Sequence, residues 1–345
     1  LIPLVSAVAA GNTVIIKPSE VSSHTSKVVK DIINSIFPEE EVAVVEGGIP
    51  ETTALLEKPF NHIFFTGAPS IGKIVMKAAS KHLTSVSLEL GGKSPTIVDA
   101  TANIEKAAAR IAWSKSLNNG QICIAPDYLL IHDSVKDAFV GAYKKQIDLL
   151  FEGDSRNSES YGRIISNRHF QRLSNYLKDA KSKNAKVLLG GETDAADQYI
   201  APTLITNLDD SALLWQEEIF GPIMPLKTYS NLEEVISYIN NGEKPLALYI
   251  YSNSQKNIDK VINETRSGAV GVNYSATHYV NPNLPFGGSN NSGIGKGNGF
   301  YGFKAFSNAK GIQKHWSPFD TIQLFYPPYT KQKDKLVHWI SKWLA

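Results

Sequence analysis

The sequence predicts an α/β fold: a Rossmann-type parallel-sheet unit for a dinucleotide, followed by a second α/β unit. Three observations lead there. Residues 1 to 98 alternate short β-rich runs with helical patterns, the rhythm of a parallel sheet with crossover helices. Between one strand and its helix lies a turn of small residues, Thr66-Gly67-Ala68-Pro69-Ser70-Ile71-Gly72. From about residue 93 a new strand and helix series opens, and its first helix leads to Cys123, the only cysteine.

Taken in order, residues 6–10 read as the end of a helix stopped at Gly11-Asn12, and Thr13 to Ile16 as a buried strand. Ser22 to Ile36 has helical periodicity through Val28, Val29, Ile32 and Ile33, with serines to cap it. Val42 to Val45 and His62 to Thr66 read as strands, and Ile71 to Ala79 as the helix after the turn. In the second unit, Asn103 to Ser116 is a helix with Ile104, Ala107, Ala108, Ile111 and Ala112 on one face. Tyr128 to Ile131 is the strand beyond the cysteine loop. Val135 to Leu150 and Arg168 to Ala180 are amphipathic helices, and Lys186 to Leu189 is a strand closed by Gly190-Gly191.

A chain of 345 residues accommodates two domains with sizeable cores, and 42% hydrophobic with 20% charged residues is ordinary for a globular protein. The net charge of +2 and the lack of a basic stripe interleaved with aromatics give no nucleic-acid signature. One cysteine excludes an internal disulfide and fits a reducing compartment. No histidine pair stands at metal-ligand spacing with a third partner, so no metal is expected. His169, at a helix start, reads as structural.

Cys123 carries the chemistry. A lone cysteine is by type a buried packing residue, but Asn118-Asn119-Gly120-Gln121 before it is turn chemistry that leaves backbone N–H groups free to meet a ligand. Upstream, Leu88-Glu89-Leu90-Gly91-Gly92-Lys93-Ser94-Pro95 sets one carboxylate among apolar residues, where its pKa rises toward that of a general base. A thiol nucleophile and a poised carboxylate are an acyl-transfer pair. The Gly67 to Gly72 turn exposes N–H groups at a helix start, a seat for phosphate, although a purely structural turn has the same composition. Lys17-Pro18-Ser19-Glu20 follows a strand end and is either a second cofactor element or a solvated loop.

The two central segments resemble the catalytic signatures of the aldehyde dehydrogenase superfamily, in both motif and separation. The resemblance runs from Pro3 to about Trp316. It is closest to the class 3 and fatty aldehyde dehydrogenase branch, through phrases such as Gly47-Gly48-Ile49-Pro50-Glu51, Cys123-Ile124-Ala125-Pro126-Asp127-Tyr128 and Lys244-Pro245-Leu246-Ala247-Leu248-Tyr249. Asn61 stands where the branch commonly has aspartate, at a position that matches no functional residue.

The resemblance implies an aldehyde dehydrogenase-like fold, with a dinucleotide-binding domain over 1–92, a catalytic domain over 93–287, and residues 288–345 returning to the cofactor domain and forming an oligomerisation arm and a terminal helix. It implies Cys123 as nucleophile and Glu89 as base. Lys17 and Glu20 would hold the adenosine ribose, which favours NAD with NADP as the alternative. Gly67 and Gly72 belong to the phosphate turn, and Glu218 and Phe220, in Gln216-Glu217-Glu218-Ile219-Phe220-Gly221-Pro222, meet the nicotinamide ribose and ring. Phe286 lines the substrate funnel or is plain packing. Ile122 and Ile124 flank the thiol with apolar bulk, so the expected substrates are apolar aliphatic or aromatic aldehydes. The alternatives are a dehydrogenase that passes its thioester to CoA and an inactive scaffold on the same fold. A homodimer is expected.

The chain opens at Leu1 without methionine. The family's Pro-Trp-Asn motif, which supplies an oxyanion donor, is expected upstream of it, so residues 1–345 alone are expected to have negligible activity. At the other end, Leu336, Trp339, Ile340, Trp343 and Leu344 form one helical stripe beside Lys335, His338 and Lys342. One reading is a terminal helix docked on its own domain. The other is a membrane-interface helix that leads toward an anchor beyond Ala345, on the cytoplasmic side of the endoplasmic reticulum or mitochondrial outer membrane.

Overall fold

The computed structural model describes every residue except Ser317, Phe319 and Ala345, and describes Thr321, Leu324 and Leu344 by backbone alone. It divides into a large unit, Leu1–Ser307, and a small one, Asn308–Ala345.

The large unit starts with the helix Ile2–Ala9, then a two-stranded parallel sheet of β1 (Val14–Ile16) and β2 (Val42–Val44), bridged by the helix Ser23–Ile36. Here one expectation is corrected and one is met. The strand Thr13 to Ile16 is not buried: Ile15 is 44% exposed. The bridging helix buries Ser26 and Ile33 and leaves Val28, Ile32 and Ile36 exposed. Two strands are too narrow to cover more than one stripe of side chains.

β3 (His62–Gly67) runs into the helix Pro69–Ala79 and returns parallel as β4 (Ser85–Leu90). Pro69 at the first helical turn lacks an N–H that would be unpaired there in any case, which fixes the point where strand becomes helix. Val75, Leu88 and Leu90 form the small core between them.

The main sheet has seven strands. In chain order they are β5 (Pro95–Val98), β6 (Tyr128–His132), β7 (Lys186–Leu189) and, after the short hairpin of β8 (Thr193–Asp194) and β9 (Tyr199–Ile200), β10 (Thr203–Thr206), β11 (Ile223–Tyr229), β12 (Ala247–Tyr251) and β13 (Ala269–Val272). Their spatial order is β13-β12-β5-β6-β11-β10-β7, parallel throughout except for β7. Strands covered on both faces are continuous apolar runs whose alternate residues serve two cores. Val98, Leu129, Ile131, Tyr249 and Tyr251 pack beneath the helices Ile104–Ser116 and Lys136–Leu150. Ile97, Leu130, Leu248 and Ile250 pack with residues of the helices Leu232–Asn241 and Gln255–Glu264. Asn103, Ser166, Asn231 and Ser254 cap the helices that follow them through side-chain bonds to backbone N–H groups.

After β13 the chain returns to the first part of the unit. β14 (Gly293–Ile294) pairs antiparallel with β4, setting Gly293 opposite Glu89. In the small unit the helix Lys331–Leu344 carries Trp339 and Trp343, 59% and 77% exposed, with their ring centroids 6.1 Å apart. The stripe's Leu344 side chain and Ala345 lie outside the described residues. No described helix is long and apolar enough to cross a membrane.

Candidate active site

A cleft of about 1870 Å³ runs through the large unit, and its walls collect most of the residues singled out above. Ser19, Glu20, Val21 and Ser22 and the turn from Thr66 to Ile71 form one end, while Glu89, Gln121, Ile122, Cys123, Glu218 and Phe220 line it further along.

The nucleophile loop is built from turn chemistry. Asn118 and Asn119 adopt left-handed backbone angles, φ 49° and 55°, which asparagine tolerates better than most side chains. Gln121 reaches out of the loop: its Nε2 donates to the carbonyls of Asn118 and Arg163 at 3.1 and 3.2 Å, and its Oε1 accepts from the Ile165 N–H at 3.0 Å. The Ala125 N–H closes a turn onto the Ile122 carbonyl at 2.9 Å, with Cys123 inside it.

Burial pushes the Cys123 thiol up to about 12, and the Glu218 and Glu89 carboxylates push the same way; the backbone N–H groups of Cys123 and Ile124 oppose them. The thiol is therefore protonated at rest, where the chemistry expects a thiolate. Glu89 is 6% exposed on β4, and its Oε2 has no partner. Burial raises it to about 8, against the pull of Lys296. A buried carboxylate without a full set of partners holds its proton near neutrality, as a general base poised to titrate there requires.

Glu218 sits over Gly91, where a β-carbon would lie 2.0 Å from its Oε2, so glycine is required for this approach. Burial and then Asp127 raise Glu218 to about 7, opposed by the Gly92 N–H, Arg172 and Lys93. Its loop is staked on three sides. The Ile219 N–H donates to Asp127 Oδ2 at 2.8 Å. Arg172 donates to the carbonyls of Glu218 and Ile219 at 3.0 and 2.8 Å. Lys93, paired with Asp127, donates to the carbonyls of Leu214 and Glu217 at 2.8 and 2.9 Å. Phe220 then takes φ 47°, a strained angle for a bulky residue and one that clusters at functional sites.

At the other end, Lys17 Nζ donates to the Gly47 carbonyl at 2.8 Å and to Glu20 Oε2 at 3.2 Å. Glu20 is on the cleft wall and Lys17 is not. A backbone N–H, then Lys17, holds the Glu20 carboxyl below the usual range. Gly67 lines the cleft, but Gly72 does not: it is buried against Leu90, where a β-carbon would meet the leucine at 2.7 Å. Its place is the packing of helix on strand.

Ile122 lines the cleft beside Cys123. The expectation for Ile124 is corrected: at 2% exposed it belongs to the core, with its carbonyl accepting from the Tyr249 hydroxyl, because the turn at Cys123 sends consecutive side chains to opposite sides. Phe286 packs against the same core as Ile122 and Cys123, stacked on His278 at 5.7 Å, and is not part of the cleft wall. Asp127, Arg172 and Lys93 join the site here without a role in the expectations above; for Asp127 a charged side chain next to the apolar run from Tyr128 to Ile131 was the visible signal. His169, with Arg163 and Arg168, also lines the cleft. Among the described residues no group of three His, Cys, Asp or Glu side chains forms a metal site.

The cleft, lined by the N-terminus of the helix Pro69–Ala79 and by a buried thiol and carboxylates, fits a nicotinamide dinucleotide in donor chemistry. The class is that of a nicotinamide-dependent oxidoreductase. The chain belongs to the aldehyde dehydrogenase family, whose model matches residues 2–312. It is 48% identical over 327 residues to the rat dimeric NADP-preferring aldehyde dehydrogenase, covering 94% of this chain and 71% of that one. It is 45% identical over 332 residues to mouse aldehyde dehydrogenase family 3 member A2, covering 96% and 68%. The substrate-bound Staphylococcus aureus AldH superposes with a TM-score of 0.92 at 42% identity, covering 98% of this chain and 73% of that one. The protein is an NAD(P)-dependent aldehyde dehydrogenase of α/β fold.

Proposed function

We propose that the protein oxidises apolar aldehydes, aliphatic or aromatic, to carboxylic acids through a thiohemiacetal and a thioester on Cys123. One observation carries the reading: Cys123 and Glu89 line the same cleft as the dinucleotide turn and Glu20. Residues 1–92 act as the cofactor domain and 93–287 as the catalytic domain. Glu20 contacts the adenosine ribose with Lys17 bracing it, Gly67 admits the phosphates, and Glu218 and Phe220 hold the nicotinamide end.

The Cys123 sulfur attacks the aldehyde carbon while its proton leaves to a neighbouring carboxylate, and the backbone N–H groups at the turn meet the oxyanion. When bound, the oxidised nicotinamide would supply the hydride acceptor and a positive charge that favours the ionised forms of Cys123, Glu89 and Glu218, which burial disfavours. Glu89 then takes a proton from water, the hydroxyl adds to the thioester carbon, and the sulfur departs with the acid released. A carboxylate on the same cleft as the thiol favours water over CoA as the acceptor. Ile122 contributes apolar wall, which supports uncharged substrates.

Glu20 favours NAD, whereas the rat relative is named for preferring NADP. That relative's name also supports a homodimer here. The exposed tryptophans and the lysines of the helix Lys331–Leu344 support contact with a membrane surface. The deciding experiment is NAD(P)H formation by the full-length protein from a series of aldehydes of increasing chain length, with both cofactors and with and without CoA. Turnover with apolar aldehydes that needs no CoA supports the reading. Strict dependence on CoA, or no turnover in any arm, overturns it.

A further inference from the structure

The peptide bond between Ile124 and Ala125 is held at both ends. Its N–H donates to the Ile122 carbonyl at 2.9 Å, and its carbonyl accepts from the Tyr249 hydroxyl at 2.6 Å. Tyr249 is fully buried on β12, 125 residues along the chain, in the core cluster against which Ile122, Cys123 and Phe286 pack. A carbonyl can only accept, so the Tyr249 hydroxyl is the donor in its bond to Ile124. The backbone N–H groups of Cys123 and Ile124, within the same turn, pull the thiol's pKa down against burial. Gln121 ties the other flank of the loop to the backbone from Arg163 to Ile165.

We propose that Tyr249 is a positioning residue for the nucleophile: by holding the Ile124 carbonyl it fixes the turn that carries the Cys123 sulfur. This rests on the reading of Cys123 as the nucleophile. Without the phenol, the Ile124–Ala125 peptide is anchored at one end only, and the turn that carries Cys123 loses its fixed direction. A displacement of a reacting loop lowers turnover far more than it lowers cofactor binding.

β12 supplies a matched control. Tyr251, two residues on and so on the same face, is also buried, but its hydroxyl meets Ser275 Oγ at 2.6 Å. The test compares Tyr249→Phe with Tyr251→Phe by the rate of iodoacetamide alkylation against pH, which reports on one thiol because Cys123 is the only cysteine. Tyr249→Phe is expected to slow alkylation across the pH range and to lower kcat about tenfold or more with little change in the KM for the cofactor. Tyr251→Phe is expected to leave the alkylation profile in place. An unchanged profile in Tyr249→Phe, or an equal slowing in Tyr251→Phe, overturns the proposal. Loss of the nucleophile reading would show separately, as turnover that survives Cys123→Ser, while alkylation still reports whether Tyr249 sets the thiol. Should Tyr249→Phe fail to fold, hydrogen exchange in the unaltered protein decides: an Ala125 amide as slow as the core strands supports the grip, and rapid exchange overturns it.

Discussion

Glu89 and Gly293 stand opposite each other in the antiparallel pairing of β4 with β14, and the Leu90 N–H donates to the Ser292 carbonyl at 3.1 Å next to it. The proposed base thus lies in a strand clamped by the loop that returns from the main sheet. A strand fixes a side chain's direction more firmly than a loop does, and Glu89 needs that, since its Oε2 has no hydrogen bond to orient it.

Cys123→Ser should abolish aldehyde oxidation, and Glu89→Gln should spare the first half-reaction while slowing release of the acid. Pre-steady-state kinetics would show a burst of NADH followed by a slow phase in Glu89→Gln. Full steady-state turnover in that variant would remove Glu89 from the role of base.

Glu89 also makes stability depend on pH. Its folded value of about 8 stands above the ordinary 4.5, so between these values the folded state binds the extra proton and stability falls as pH rises. Glu89→Gln has no such proton to lose. Melting temperatures of the two proteins should converge near pH 4 and separate toward pH 9, with the variant the more stable. A constant difference across that range would contradict the assignment.

Asp127 joins the Ile219 N–H to Lys93 and is 4% exposed. Asp127→Ala leaves Lys93 without its counter-ion and should cost on the order of 3 kcal/mol in urea unfolding. It should also raise the KM for the cofactor, since the Glu218 loop loses one of its three stakes. An unchanged KM alongside the lost stability would confine Asp127 to a structural role.

Trp339 and Trp343 give the terminal helix an exposed apolar side among lysines. The protein should co-sediment with anionic liposomes, and Trp339→Ala with Trp343→Ala should reduce binding at least about tenfold. Equal binding by both forms, or none by either, would separate this helix from membranes.

What the sequence displayed depended on the signal each segment carries. Cys123 and Glu89 were visible because each is the only reactive group in an apolar or turn-forming stretch. The helices from Ile104 and from Asn167 were visible through their period. Strands such as β5, β10 and β12 are covered on both faces, so their apolar runs lack the alternation that distinguishes a strand. Ile124 read as a pocket residue because adjacency in sequence says nothing of the turn that separates its side chain from that of Cys123. Arg172 was hidden because its partners, the carbonyls of Glu218 and Ile219, lie 46 and 47 residues away.

The backbone angle at Phe220 has a consequence for engineering. A bulky residue held at φ 47° costs about 1–2 kcal/mol that glycine would not. Selection for heat resistance acting on this chain should therefore favour Phe220→Gly, and in doing so would strip the cleft of an aromatic wall. Stability and turnover compete at this position, and a library screened for the first alone would converge on well-folded proteins that have lost the second.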